Sequence, residues 1–194
     1  MQKLKEHLAT NYYELYKEWH YKDIEARVFG EELLGANLEN QTQDSRQNQN
    51  IENDGFQASK ANMVQYKVPN DYKFHCFSRF VMANSHKEID RKIYIQVDTE
   101  RFSNHSRTIF DDKWEKMPFE ICCPAPKIAP QKPQNLSLLL KVAKALSQNF
   151  GGIRVDLYSV KSKVIVGELT FTHGGGTEKF NPNKWDKMFG DMWG

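Results

Sequence analysis

The sequence predicts an α+β fold, an antiparallel β-sheet with flanking helices. Three observations predict it. Residues 71–81 and 93–98 alternate apolar and polar side chains at the two-residue period of a strand, with a short polar connection between them. Residues 153–158 and 164–171 repeat that arrangement around Lys161-Ser162-Lys163. Between these pairs, Leu136, Leu139, Leu140, Ala143 and Leu146 recur at the three- and four-residue steps of a helix.

The elements follow in order. Residues 4–19 read as one helix, with Leu4, Leu8, Tyr12, Leu15 and Trp19 on a stripe. Residues 27–34 read as a strand running into a turn at Gly35. Residues 39–60 are crowded with Gln, Asn, Asp and Ser, and hold only Ile51 and Phe56 as large apolar residues. Such a stretch buries too little surface to offset its ordering entropy, so a disordered insertion within one domain spanning 1–194 is expected. In the first strand pair Phe74, Cys76 and Phe80 fall on one face, and Lys73, His75, Phe77 and Arg79 on the other. Ile93, Ile95 and Val97 oppose Tyr94, Gln96 and Asp98, with residues 84–90 as the connection. Five of the seven prolines (118, 124, 126, 130, 133) then predict an extended, irregular stretch. Asn135 is the expected N-cap of the next helix and Gly151-Gly152 its terminator. A short amphipathic helix carrying Trp185, Met188 and Phe189 is expected near the C-terminal end.

Composition narrows the function. Lys and Arg number 27 against 25 Asp and Glu, a net charge of +2 that does not suit a polyanion-coating protein, so no nucleic-acid partner is expected. Tyr12, Tyr13, Tyr16, Trp19 and Tyr21 are interleaved with Glu14, Glu18 and Asp23, which argues for packing over base stacking. No apolar run approaches the ~20 residues of a membrane span, and no apolar export signal opens the chain. Three cysteines (two of them adjacent) make no disulfide framework and no zinc-gripping CxxC pair. A reducing, cytoplasmic setting is the resulting expectation.

The chemistry concentrates near the C-terminal end. A three-residue turn at Lys161-Ser162-Lys163 would pair Asp156 with Glu168, Ile153 with Phe171, Val155 with Leu169 and Leu157 with Gly167. A two-residue turn would send the two acids to opposite faces, so burial of the apolar partners selects the odd turn. Two carboxylates then face each other at a Cβ separation of ~5 Å, which is unfavourable unless a cation lies between them. Hard oxygen ligands on neighbouring strands suit magnesium, and Arg154 on the same face could neutralise phosphate charge. The alternative, an Arg–Asp–Glu surface network without metal, stays open. Gly174, Gly175 and Gly176 follow the strand of Glu168, as either a flexible connector or an anion cradle; they lack the ending of a Walker loop.

These residues carry a family resemblance. The run Gly-Ile-Arg154-Val-Asp156-Leu-Tyr, followed by Gly-Glu168-Leu-Thr-Phe-Thr-His-Gly-Gly-Gly-Thr-Glu178-Lys-Phe-Asn181-Pro and Trp185-Asp, resembles the TupA-like ATP-grasp proteins of teichuronopeptide and cell-envelope polymer biosynthesis. Supporting stretches are Glu18-Trp19-His20-Tyr21-Lys22, Gly30-Glu31-Glu32-Leu33, Asp71-Tyr72-Lys73-Phe74 and Gln96-Val97-Asp98 through Arg107. The resemblance implies the C-terminal portion of an ATP-grasp fold, with ATP and Mg2+ as cofactors and a carboxylate activated as an acyl phosphate. It implies Asp156 and Glu168 as metal ligands, Arg154 as the residue stabilising the transferred phosphoryl group, and Lys73 as a nucleotide-facing side chain. Glu31, Glu32 and Leu33 match the hinge that meets adenine, and Gly174, Gly175 and Gly176 match the place where acceptor and acyl phosphate are held. Where many family members have Glu-x-Asn, this chain has Glu168-Leu169-Thr170.

The family carries a further segment, with a glycine-rich phosphate loop and an ATP-contacting lysine, ahead of the part matched here. The expectation is therefore a truncated chain or one completed by a partner supplying that half. Its acceptor would be a small molecule or polymer precursor. Three functions stand at this point. The first is an ATP- and Mg-dependent carboxylate–amine ligase of envelope polysaccharide synthesis. The second is an inactive ATP-grasp remnant or binding module. The third, a glycosyltransferase-type envelope enzyme, is disfavoured by the lack of a DxD motif. Asp98, Arg101, Asn104, His105 and Arg107 read equally as an anion-contacting group or a salt-bridged loop.

Overall fold

The computed structural model describes residues 2–30, 69–83, 86–99 and 104–193. The chain divides into two units, residues 1–28 with 70–194, and residues 29–69. The expected insertion at 39–60, and Glu31, Glu32 and Leu33, lie outside the described residues.

The expected N-terminal helix is two. α1 (Gln2–Leu8) ends where the Thr10 hydroxyl donates to the Glu6 carbonyl at 2.7 Å. Asn11 then adopts an extended backbone and accepts the Tyr13 N–H at 2.9 Å, which starts α2 (Tyr12–Tyr16). Short polar side chains that compete for backbone groups break the apolar stripe into two helices. Lys17, in the left-handed region at φ 56°, ends the second, and one 3-10 turn follows at Trp19–Tyr21. Arg27 to Gly30, the described part of the expected strand over 27–34, has no regular secondary structure.

The main sheet has β1 (Asp71–Ala83) at its centre. β2 (His86–Thr99) and β3 (Ser106–Asp111) lie on one side, β5 (Gly152–Val160) and β6 (Lys163–Thr170) on the other, all antiparallel. β1 and β2 pair from Asp71↔Asp98 to Ala83↔His86, so residues 86–90 belong to the strand and not to the connection. Backbone pairing needs no apolar alternation, which is why a polar stretch concealed it. β3 is the strand the sequence does not announce. Both of its faces are buried, one by apolar and one by ion-paired side chains, so Arg107 looks like a loop residue until its partners are known.

The β5–β6 hairpin corrects the turn but not the pairing of the acids. Lys161 and Ser162 have φ of 48° and 65°, the signature of a two-residue type I′ turn, and Val160 pairs with Lys163. Leu157 pairs with Val166, while Asp156 pairs with Glu168. Gly167 is therefore the extra residue of a β-bulge, and this single insertion restores the parity that the short turn had shifted.

α3 (Leu136–Ser147) covers one face of the sheet. Leu136, Leu139 and Ala143 pack with Phe74, Ile95, Val97, Val155 and Leu157 into the larger apolar core. Asn135 does not cap the helix with its side chain. It donates to the Ser162 carbonyl at 3.3 Å and accepts the Ser159 hydroxyl at 2.9 Å, tying the helix start to the β5–β6 turn. The helix ends at Ser147, ahead of Gly151-Gly152, and Gly152 opens β5 instead.

The opposite face splits in two. Towards one end, Phe77 and Ile109 meet Phe119, Ile121, Phe180 and Phe189 in a second apolar cluster. There β4 (Glu120–Ile121), within the proline-rich stretch, pairs with β7 (Phe180–Asn181), and α4 (Lys184–Met192) supplies Phe189. Towards the other end the face is charged, and that half carries the candidate site. No helix among the described residues is long and apolar enough to cross a membrane.

Candidate functional site

Registry alone puts charged and polar side chains side by side. Lys73 on β1 pairs with Asp156 on β5 and with Gln96 on β2; Asp71 pairs with Asp98; Asp98 pairs with Arg107 on β3; and Asp156 pairs with Glu168 on β6. Directly paired residues share a face, so these side chains form one polar row across five strands.

At the β5–β6 end the row closes around Arg154. Its Nε donates to Asp156 Oδ1 at 2.7 Å, and its Nη2 donates to Asp156 Oδ2 at 2.9 Å and Glu168 Oε1 at 2.7 Å. The same Nη2 reaches the Thr170 hydroxyl, which donates onward to Glu168. Lys73 bridges Asp156 and Asp71, lying 2.8 Å from the latter. The Asp156 side chain is 3% exposed and that of Glu168 61%. Burial raises the Asp156 carboxyl above its ordinary value even against Arg154 and Lys73. For Glu168 partial burial pulls upward, but the Thr170 hydroxyl and the Arg154 and Lys73 charges win, and its carboxyl sits below the usual range.

The two expected metal ligands thus converge on one cationic nitrogen. Their hard oxygens, held on adjacent strands within 2.9 Å of that point, are the donor chemistry magnesium takes, and the Arg154 guanidinium occupies the point between them. Among the described residues no group of three or more His, Cys, Asp or Glu side chains is arranged to hold a metal ion.

Beside Arg154 opens a cleft of about 740 Å3. Arg154, Glu168, Thr170, Gly174 and Gly175 line it from the sheet side, and Tyr12, Tyr16, Glu18 and Tyr21 from the N-terminal helices. Tyr12 meets Tyr16 at a tilt and Tyr21 edge-on, at ring separations of 4.6 and 5.0 Å, and donates its hydroxyl to Glu18. The aromatic residues touch one another but do not enter a core: Tyr12, Tyr16 and Trp19 remain exposed, in place of the packing expected for them. Neither Lys73 nor Asp156 lines the cleft; the two are buried side by side, ion-paired, in the interior.

The glycine loop is an ordered turn. Gly174, Gly175 and Gly176 have φ of 58°, 60° and 70°. Its anchor is Glu178, which sequence reading quoted without a role. His173 Nδ1 donates to one of its oxygens at 3.1 Å and Arg107 Nη1 to the other at 2.7 Å. Arg107 in turn bonds Asp98, Asp98 accepts from Gln96, and His75 donates to Gln96. Burial, and then the neighbouring His173, hold His75 well below its ordinary value, so it is neutral. Asp98 and Arg107 are thus the salt-bridged alternative of the two readings. The signal that could have found the chain is the two-residue spacing of Gln96 and Asp98 opposite Lys73 and Asp71.

The anchor makes one position unforgiving. A Cβ on Gly174 would lie 2.4 Å from Glu178 Cγ, an atom pinned by two ion pairs, whereas one on Gly175 meets nothing nearer than 3.7 Å. Gly174→Ala should destabilise by about 2–3 kcal/mol and Gly175→Ala by only the left-handed cost of about 1 kcal/mol, read by urea denaturation. Equal losses would show that Glu178 yields.

No curated protein and no solved structure matches this chain. The model of the TupA-like ATPgrasp family matches residues 57–193, which take in the whole polar row, the sheet side of the cleft and the glycine turn, while the N-terminal motifs lie ahead of the match. The chain is a member of the TupA-like ATP-grasp family.

Proposed function

We propose that the protein is an ATP- and Mg-dependent carboxylate–amine ligase of cell-envelope polysaccharide or polymer synthesis, with the cleft beside Arg154 as the place where nucleotide phosphates meet the acceptor. The family as a whole supports an ATP-grasp function. The observation that carries the finer reading is that Arg154, bonded to both Asp156 and Glu168, lines with Glu168 and the glycine turn the sheet side of the cleft. Magnesium, when bound, would supply charge neutralisation for the phosphates, and Asp156 and Glu168 would hold it. Arg154 contributes a fixed guanidinium with donors aimed from the sheet, able to exchange a carboxylate for a phosphoryl oxygen. Thr170 orients Glu168, and Lys73 keeps Asp156 in place from the neighbouring strand. The glycine turn offers backbone approach without side chains to obstruct an acyl phosphate.

One observation favours a second reading. Both carboxylates are already neutralised by Arg154, and Asp156 by Lys73 as well, which is what an inactive binding module would need for stability alone. Calorimetry with Mg·ATP and a nonhydrolysable analogue separates the two. The ligase reading expects binding heat and a thermal shift at millimolar ligand, with Glu168→Gln weakening affinity roughly tenfold in magnesium and leaving metal-free binding intact. Glu168 is the informative position because it is exposed; Asp156→Asn also removes one of the two carboxylates around a buried lysine and confounds folding with binding. Absence of heat, or an equal loss without metal, would favour the binding module.

A further inference from the structure

Cys122 and Cys123 directly follow β4, and neither lines the cleft. Their sulfurs lie 3.4 Å apart, and Cys123 Sγ lies 3.5 Å from His105 Nδ1. The other ring nitrogen, Nε2, is buried and makes no hydrogen bond, but lies at the ion-pair distance of 3.4 Å from Oδ1 of the buried Asp98. A thiol, a base within reach of its proton and a carboxylate behind the base are the components that activate sulfur.

The backbone holds the pair in a strained turn. Cys122 has φ 65°, and the Cys123 N–H donates to the Ile121 carbonyl at 2.7 Å, which makes Cys122 the centre of the rare γ-turn with positive φ. Both flanks are pinned: Cys122 N–H bonds the Lys179 carbonyl, Ile121 is fully buried, and the Pro124 carbonyl accepts Arg107 N–H. Such strain in a non-glycine residue persists only where the surroundings impose it. Cys122 is exposed and Cys123 partly so, whereas Cys76 is buried. Partial burial, then the Cys122 sulfur, hold the Cys123 thiol above its ordinary value, so it needs a base to react.

We propose that Cys122 and Cys123 form a reactive vicinal dithiol that small disulfides convert to a Cys122–Cys123 disulfide. Exposed Cys122, having lost its proton to solvent, attacks one sulfur of the small disulfide and expels a thiolate, which takes up a proton. Cys123 passes its proton to His105 Nδ1 and attacks Cys122 Sγ, expelling the second thiolate, to which that proton is delivered. Two protein thiols are oxidised and one small disulfide is reduced to two thiols. Closure brings the sulfurs to about 2.05 Å. Neighbouring Cα atoms only ~3.8 Å apart leave the new bond strained, so excess thiol reopens it.

The test treats the full chain with oxidised glutathione, quenches with N-ethylmaleimide and maps peptides by mass spectrometry. The expected product is a peptide containing both cysteines, lighter by two hydrogens, free of maleimide and restored by dithiothreitol. Cys76, whose thiol burial pushes up to about 11, serves as the unreactive internal control. Cys123→Ser should stop at a glutathione adduct on Cys122, and His105→Gln should slow closure about tenfold and accumulate that adduct. A wild-type chain that keeps glutathione on Cys122, or labels both cysteines fully after oxidant, overturns the proposal. An unchanged closure rate in His105→Gln overturns the part assigned to the histidine.

Discussion

Lys73→Met should destabilise the protein by about 3–5 kcal/mol at neutral pH. Lys73 stands between two buried carboxylates, Asp71 and Asp156, and its removal takes away the ammonium that both of them share. The pH dependence has a definite sign. Burial already holds Asp156 above its ordinary value, and a carboxyl raised on folding contributes stability below its unfolded value and loses it as pH rises through the folded one. Without Lys73 the folded value climbs further, so the deficit should be largest at alkaline pH and narrow on acidification. Urea denaturation at pH 5 and pH 8 reads this directly. Adding Asp156→Asn to the variant should recover at least about 1 kcal/mol, because the two residues are coupled. A deficit independent of pH, or one below that figure, would falsify the role given to Lys73.

Arg107→Leu should cost about 3 kcal/mol at pH 7, with the opposite dependence on pH. The His173 ring and Arg107 together hold the Glu178 carboxyl down to about 2 against partial burial. At Asp98 burial pushes upward, but the Arg107 hydrogen bonds and charge outweigh it, and that carboxyl too lies below its usual range. Carboxyls depressed on folding contribute stability above their unfolded values, near ~4, and lose it as pH falls towards the folded ones. Wild type therefore surrenders this contribution between roughly pH 4.5 and 2, while the variant has little left to lose. The gap between them should close on acidification, and Arg107→Lys should recover only part of it, since a single ammonium nitrogen lacks the spread of the guanidinium fork, which reaches Asp98 through Nε and Glu178 through Nη1. A gap that widens in acid would place the stabilisation elsewhere.

The two variants test the centre and one end of one polar row, and the row shows why parts of the site were legible early. Asp156 and Glu168 share a face because the apolar residues between them must, and that constraint is local. It held even though the turn is one residue shorter than expected, since Gly167 supplies the compensating bulge. The α3 stripe and the first strand pair were legible for the same reason: burial of one face writes a period into neighbouring residues.

What stayed hidden depends on partners distant in the chain. Arg107 and Glu178 are 71 residues apart, and neither has a period that betrays the other. Strand β3 was missed because ion-paired burial of Arg107 mimics exposure in a sequence. The single N-terminal helix was overextended because an apolar stripe cannot report that Asn11 captures the Tyr13 N–H.

Chain order and side-chain type were therefore sufficient for the α+β class, the facing acids, the covering helix and the family. Folding in space settled which cation each carboxylate holds, that Lys73 lies in the interior instead of in the cleft, and that the glycine turn is braced by Glu178. The division follows from range: periodic burial acts between neighbours a few residues apart, whereas electrostatic pairing in a desolvated interior links whatever strands the topology brings together.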